Sequence, residues 1–218
     1  MKKLFFVFLL LLFNDSYSQG LDFLPRGLGV EVGLGYNQLK FQALPTAPFF
    51  NSESELRDAF KLTPTFRISW EKEIISNFAL KTFISYSITG GKSDKKANGY
   101  EDEYIFKTLD LGLFASYKFY NTSFSIGGKY NRFLDVIGRF YGSLYDPAGA
   151  NREWNEEDMS SLFNKWSFDL GGRISYNYYH FTIAIEGWYS VSDLINKNFE
   201  DLTKVTSKRF QLLIGYQL

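Results

Sequence analysis

The chain has 218 residues, no Cys, one His, and 23 Phe, 15 Tyr and 4 Trp that together make up 19% of it. Its 24 basic and 24 acidic residues cancel, which argues against a nucleic-acid binder with its basic face. The lack of Cys excludes a disulfide scaffold, a thiolate nucleophile and Cys-ligated zinc or iron–sulfur sites.

The start of the chain reads as an export leader. Lys2 and Lys3 precede the apolar run Leu4–Phe13, and Asn14 and Asp15 end it. Ser16 and Ser18 then place small residues where a signal peptidase reads, so cleavage is expected between Ser18 and Gln19. Ten apolar residues reach only ~15 Å as a helix, half of the ~30 Å of hydrocarbon that a span needs. Residues 1–18 are thus read as a signal peptide and 19–218 as one domain. Without Lys2, Lys3 and Asp15 the remainder keeps 22 basic and 23 acidic residues, still near neutral.

From Gln19 onward no apolar stretch is long enough for a spanning helix, and period-2 alternation recurs instead. Leu28, Val30, Val32, Leu34 and Tyr36 share one face of the first segment, with Gly29, Glu31, Gly33, Gly35 and Asn37 on the other. The second has Leu62, Phe66, Ile68 and Trp70 against Thr63, Thr65, Arg67, Ser69 and Glu71. The third sets Phe78, Leu80, Ile84, Tyr86 and Ile88 against Lys81, Ser85 and Ser87. The fourth sets Leu109, Leu111, Leu113, Ala115, Tyr117 and Phe119 against Thr108, Asp110, Gly112, Ser116 and Lys118. The fifth offers Phe124, Ile126 and Tyr130 against Ser123, Ser125, Gly127, Lys129 and Asn131. The sixth runs Trp166, Phe168, Leu170, Ile174, Tyr176 and Tyr178 against Ser167, Asp169, Gly171, Arg173, Ser175 and Asn177. The seventh has Phe181, Ile183, Ile185, Tyr189 and Val191 against Thr182, Ala184, Glu186 and Ser190, and the eighth carries Phe210, Leu212, Ile214, Tyr216 and Leu218 on one face.

Several residues break the pattern. Pro64 on the apolar face of the second segment predicts a strand start or a bulge. Phe83, Phe114, Trp188 and Leu213 fall on the polar face. After Tyr130 the phase slips at Arg132, which predicts a bulge or an early strand end.

The connections alternate in length: long at Gln42–Lys61, short at Lys72–Asn77, long at Gly90–Glu103, short at Tyr120–Thr122. They continue very long at Gly138–Lys165, tight at Tyr179-His180 and long at Ser192–Lys204. That rhythm predicts an all-β fold, an eight-stranded antiparallel up-and-down transmembrane β-barrel with loops at one rim and turns at the other.

Alternation alone leaves the direction of the apolar face open. A soluble lipocalin-type carrier of a small apolar ligand would turn it inward, yet an eight-strand lumen is only just wide enough for side chains to fill it. The Gly/Ser/Thr-rich face fits inside better, and its charges nearly cancel: Glu31, Glu71, Asp110, Asp169 and Glu186 against Arg67, Lys81, Lys118, Lys129, Arg173 and Arg209. In a narrow lumen they are expected to pair, as buried charges must. Trp70, Phe78, Tyr117, Phe119, Tyr176, Tyr178, Phe181 and Tyr216 fall near the turn rim. Tyr36, Tyr86, Tyr104, Trp166 and Tyr189 fall near the loop rim, as two aromatic girdles around an aliphatic belt would.

Phe78–Gly91 (FALKTFISYSITGG), Asp110–Tyr117 (DLGLFASY), Phe168–Tyr176 (FDLGGRISY) and the ending Phe210–Leu218 (FQLLIGYQL) resemble PorT-like outer-membrane β-barrel proteins. Members of that family end in an aromatic, whereas this chain has Leu218 with Tyr216 two positions earlier. The resemblance implies the outer membrane of a Gram-negative cell and a link to secretion machinery, and it carries over no functional residue pattern.

Catalytic chemistry has little to draw on. The one His, His180, lies in an expected tight turn beside Tyr178 and Tyr179, and the glycines at 33, 35, 127 and 128 lack the strand–loop–helix context of a phosphate loop. Glu101-Asp102-Glu103 and Glu156-Glu157-Asp158 lack the spacing of a calcium loop and read as solvated loop tips. The expectation is a non-enzymatic barrel without metal or cofactor, structural, adhesive or part of an assembly, acting through its loops. Gly138–Lys165 is the foremost of these, with Tyr141, Tyr145, Trp154 and Phe163 expected to be exposed. Its expected partners are outer-membrane lipids and lipopolysaccharide, the barrel-insertion machinery and an envelope protein, with no nucleic acid.

Overall fold

The computed structural model describes residues 27–43, 56–92, 101–141, 154–199 and 203–217. The expected Ser18/Gln19 cleavage site, Tyr145 and the side chains of Tyr141, Glu101 and Asp102 lie outside the described residues. Among the described residues nine strands carry the fold: β1 (Leu28–Ala43), β2 (Leu56–Ile75), β3 (Phe78–Lys92), β4 (Glu101–Phe119), β5 (Thr122–Tyr141), β6 (Trp154–Asp158), β7 (Trp166–Tyr178), β8 (Phe181–Ser190) and β9 (Thr203–Gln217).

All but β6 form a closed eight-stranded antiparallel barrel. Sequential strands pair around it, β1 pairs with β9, and β5 pairs with β7 along its lower half. Closure leaves no open edge, as a bilayer demands of any sheet within it. The upper half of β5 outruns β7, and there β6 pairs with Ile137–Tyr141 in its place, so β4, β5 and β6 rise as a ridge above the barrel.

The apolar face points outward. Among the described residues forty large apolar side chains are exposed, including Val32, Leu34, Ile68, Ile84, Ile126, Ile174, Ile185 and Leu212. The inward face is mostly Ser, Thr, Gly and charge, interrupted by Phe83, Phe114, Trp188 and Leu213. The soluble-carrier alternative requires the reverse orientation and is overturned. Only a hydrocarbon solvent makes such a wall stable.

Three connections at one rim are two-residue turns, Ser76–Asn77, Tyr120–Asn121 and Tyr179–His180, with positive φ at Asn77 (69°), Tyr120 (54°) and Tyr179 (52°). The first is tighter than the six-residue connection expected at Lys72–Asn77, because β2 runs on to Ile75 with an irregularity after Glu73. Around this rim Phe78 packs on Tyr117 (5.1 Å between centroids) and Phe181 on Tyr216 (5.4 Å).

Both pattern breaks in the strands turn out to be bulges rather than ends. Pro64 pairs with Leu34 on β1, but on its other side the β2–β3 register skips from Ala59 to Thr65, where the missing N–H costs no ladder bond. In β5 the register jumps at Leu134, and the strand continues to Tyr141. The bulge lets Phe133 and Val136 both turn towards the barrel mouth, which a strict period of two forbids.

Candidate functional site: a filled lumen beneath a welded loop cap

The lumen is where the inward residues of all eight barrel strands meet. The eleven charged residues expected there divide into three groups. Nearest the turn rim, Lys118 meets Glu71 at 2.7 Å. Above it lies a buried cluster of Glu31 (β1), Arg67 (β2), Lys81 (β3), Arg173 (β7) and Glu186 (β8). Arg67 grips Glu186 in a fork, Nη1–Oε1 2.5 Å and Nη2–Oε2 2.9 Å, and also reaches Glu31 at 3.2 Å. Arg173 donates to Glu31 at 2.8 and 2.9 Å and to Glu186 at 2.6 Å, and Lys81 donates to Glu31. Gln211 Nε2 (2.5 Å) and Trp188 Nε1 (2.9 Å) supply further donors to Glu186. The third group lies nearer the loops: Asp110 faces Lys129 (3.8 Å) and Arg209 (3.9 Å), accepts from Ser85 (3.2 Å) and Ser87 (3.0 Å), and Lys129 approaches Asp169 at 3.4 Å.

The apolar residues on this polar face have a shared explanation. Phe83 stands directly across from Gly112, Phe114 from Gly127, Trp188 from Gly171 and Leu213 from Gly33. A Cβ on any of these glycines would overlap the facing side chain, so each bulky residue fills space that its neighbour vacates. Phe83, Phe114 and Trp188 pack together at 5.1–6.1 Å between centroids. Arg67 lies 4.0 Å over the Phe83 ring and Lys129 5.0 Å over Trp188, which ties this cluster to the second and third charge groups.

The loop rim is closed by an apolar cap. Leu39, Tyr104, Phe106, Val136, Phe163, Leu194, Ile195 and Val205 form one buried cluster in the mouth. Two expectations fail here. Tyr104 does not join the outer girdle but is 8% exposed inside the mouth, against Phe163 at 5.8 Å. Phe163, expected to be exposed, is 2% exposed, because its segment folds back into the barrel. The fold-back is welded by backbone. Phe163 bridges Ile195, Asn164 N donates to Leu194 O (2.8 Å), and Asn196 N donates to Leu162 O (2.9 Å). The Asn164 amide reaches the carbonyls of Asp193 (3.0 Å) and Ile195 (2.5 Å). The sequence carried a signal for this cap, since Leu39, Phe106 and Val205 are apolar on the inward face just above the last polar inward residues.

Between cap and charges remains a cavity of about 20 Å³ beside Asn37, Thr108, Asn131, Asp169, Ser207 and Arg209, room for about one water. Outside, the ridge exposes Trp154, Glu156, Glu157 and Asp158. Arg139 holds Glu156 at 2.6 Å, and the Ser160 hydroxyl and amide keep the Asp158 carboxyl below its ordinary range. His180 sits at the opposite rim, exposed, with Nδ1 donating to Gln217 O (2.9 Å) and its ring stacked on Tyr216. These contacts pin the last turn to the final strand.

A family model described as outer membrane protein beta-barrel domain matches residues 17–196. Among solved structures the chain is similar to Neisserial surface protein A, at 10% identity and a TM-score of 0.52 over 88% of this chain and 97% of that one. Attachment invasion locus protein (Ail) of Yersinia pestis matches at 13% identity and 0.46, over 89% and 100%. The protease OmpT of Escherichia coli matches at 13% and 0.39, over 92% and 99%. Identities this low speak of fold alone. No curated protein matches the sequence. With an outward apolar wall, a charge-filled lumen and a family model spanning most of its length, the chain belongs to the outer membrane protein beta-barrel domain family and resides in the Gram-negative outer membrane.

Proposed function

We propose that this protein is a non-enzymatic barrel that anchors a preformed extracellular platform, with an adhesive or assembly role. The carrying observation is the weld between segments 159–165 and 191–199, which ties two loops into one body over the mouth. A barrel that fills its own lumen with paired charge and caps its mouth is built to hold a surface rather than to pass solutes. The platform offers the β4–β5–β6 ridge, with Trp154 and the acids at 156–158 exposed, as its recognition face. Placement of His180 in the turn rim, engaged with Gln217, favours a binding role over acid–base catalysis. The resemblance to PorT-like barrels makes a secretion-linked assembly partner one occupant of that face.

The test is in-cell photocrosslinking from position 154 or 157, compared with a variant in which residues 154–158 are replaced by Gly/Ser. A specific envelope or host-surface partner, lost in the variant while gel mobility still shifts on boiling, supports the proposal. Ion conductance by the purified barrel in planar bilayers, or unchanged partner capture by the variant, overturns it.

A further inference from the structure

The outer wall is not charge-neutral at its upper edge. Lys40 on β1 pairs in register with Thr206 on β9, and the flanking β9 positions on the same face are Lys204 and Lys208, paired with Gln42 and Gln38. All three lysines are exposed and outward-facing. Lys40 is therefore the diagonal neighbour of both β9 lysines, a relation that places Cβ atoms about 7–8 Å apart. Among the described residues none of the three has a carboxylate partner. Asp193, an acid beside β9 at this level, is engaged through Oδ1 by the amides of Ile195 (3.0 Å) and Val205 (2.9 Å).

Lys40 stands diagonally beside each of the two β9 lysines, like charges at such positions repel, and in a closed barrel they serve no edge-protecting purpose. Their surroundings fix their depth. Exposed Tyr36 and Tyr189, the latter directly across from Lys208, form the girdle at the same level, and exposed Val32, Leu34, Leu212 and Ile214 line the wall below. The triad thus sits where the headgroups of the outer leaflet lie, with an aliphatic track beneath it for acyl chains. At the turn-rim ends of the same strands, the outward residues Val30 and Tyr216 carry no charge.

We infer that Lys40, Lys204 and Lys208 form a binding site for the phosphate of a phosphorylated outer-leaflet glycolipid, with the β1–β9 wall taking its acyl chains. Ammonium groups at this spacing converge on one phosphate and relieve one another's repulsion, a gain that uncharged headgroups do not provide. This site is independent of whatever the loops bind.

The experiment uses the folded mature barrel in detergent with bisphosphorylated lipid A as probe, and native mass spectrometry counts retained lipid. The wild type is expected to keep lipid A and to release dephosphorylated lipid A. K40Q/K204Q/K208Q is expected to lose retention by about a hundredfold, whereas K165Q/K197Q, which removes loop charges elsewhere, keeps it. K40R/K204R/K208R preserves charge and folding demands and is expected to retain lipid, and the single variant K208Q to retain less. Equal retention of dephosphorylated lipid, unchanged retention by K208Q and the triple Gln variant, or equal loss in K165Q/K197Q overturns the site.

Discussion

Arg67 on β2 and Glu186 on β8 face each other across the lumen in a two-point clamp, and neither is more than 1% exposed. Two strands, β1 and β9, separate them around the wall, so the clamp is a cross-lumen tie. A carboxylate this deep is tolerable only because Arg173, Gln211 and Trp188 share its oxygens.

Removing one partner should therefore cost more than removing both. Arg67→Met leaves Glu186 short of a cation and is expected to destabilise by about 3–5 kcal/mol. The double variant R67M/E186L is expected to lose clearly less, since Glu31 keeps Arg173 and Lys81. Urea unfolding in phospholipid vesicles measures both, and a double variant as unstable as the single one contradicts the clamp's role.

The glycine–aromatic complementarity makes a second prediction. Gly112→Ala drives a methyl into the Phe83 ring and is expected to cost about 1–3 kcal/mol by overpacking. Combining it with Phe83→Leu is expected to recover part of that loss. Additive losses in the same unfolding assay would show that the two positions do not share space.

The lipid-facing wall can be tested at a single position. Ile185 is 62% exposed on β8 in the middle of the aliphatic belt. Ile185→Lys is expected to lower folding stability in bilayers by about 2–4 kcal/mol. The same lysine on an ordinary water-facing strand would be nearly neutral, so a negligible effect on vesicle folding yields argues against a membrane-facing β8.

The cap weld depends on one side chain more than any other. Asn164→Ala deletes hydrogen bonds to two partly buried carbonyls, and each acceptor left unmet costs up to about 1–3 kcal/mol. The expected outcome is protease cleavage within 191–199 on intact cells, with the boiling-dependent gel shift unchanged because the barrel ladder is untouched. Resistance equal to the wild type would remove Asn164 from the weld.

The strands were legible from sequence because a closed wall between hydrocarbon and a polar lumen imposes a strict period of two, seen from Leu28 to Tyr36 and again from Trp166 to Tyr178. The inward charges were legible for the same reason, as Glu31, Arg67 and Glu186 fall on the face that carries Gly and Ser. Where the single-strand pattern misleads, two adjacent strands have to be seen together. Phe83, Phe114 and Trp188 look like errors of phase until register sets each against a glycine. Phe163 and Tyr104 look like surface aromatics until the 159–165 segment turns back to meet Ile195.

The sequence by itself determined the barrel pattern, its strand number and which residues share a face, because side-chain alternation is a local property that each strand declares alone; that the apolar face turns outward to lipid is settled by closure of the barrel. Only the tertiary structure decided which charge pairs with which, that the mouth is capped, and that Lys40 joins Lys204 and Lys208. Those relations join residues far apart in the chain, and pairing register and loop closure, which period-two patterning leaves free, bring them together.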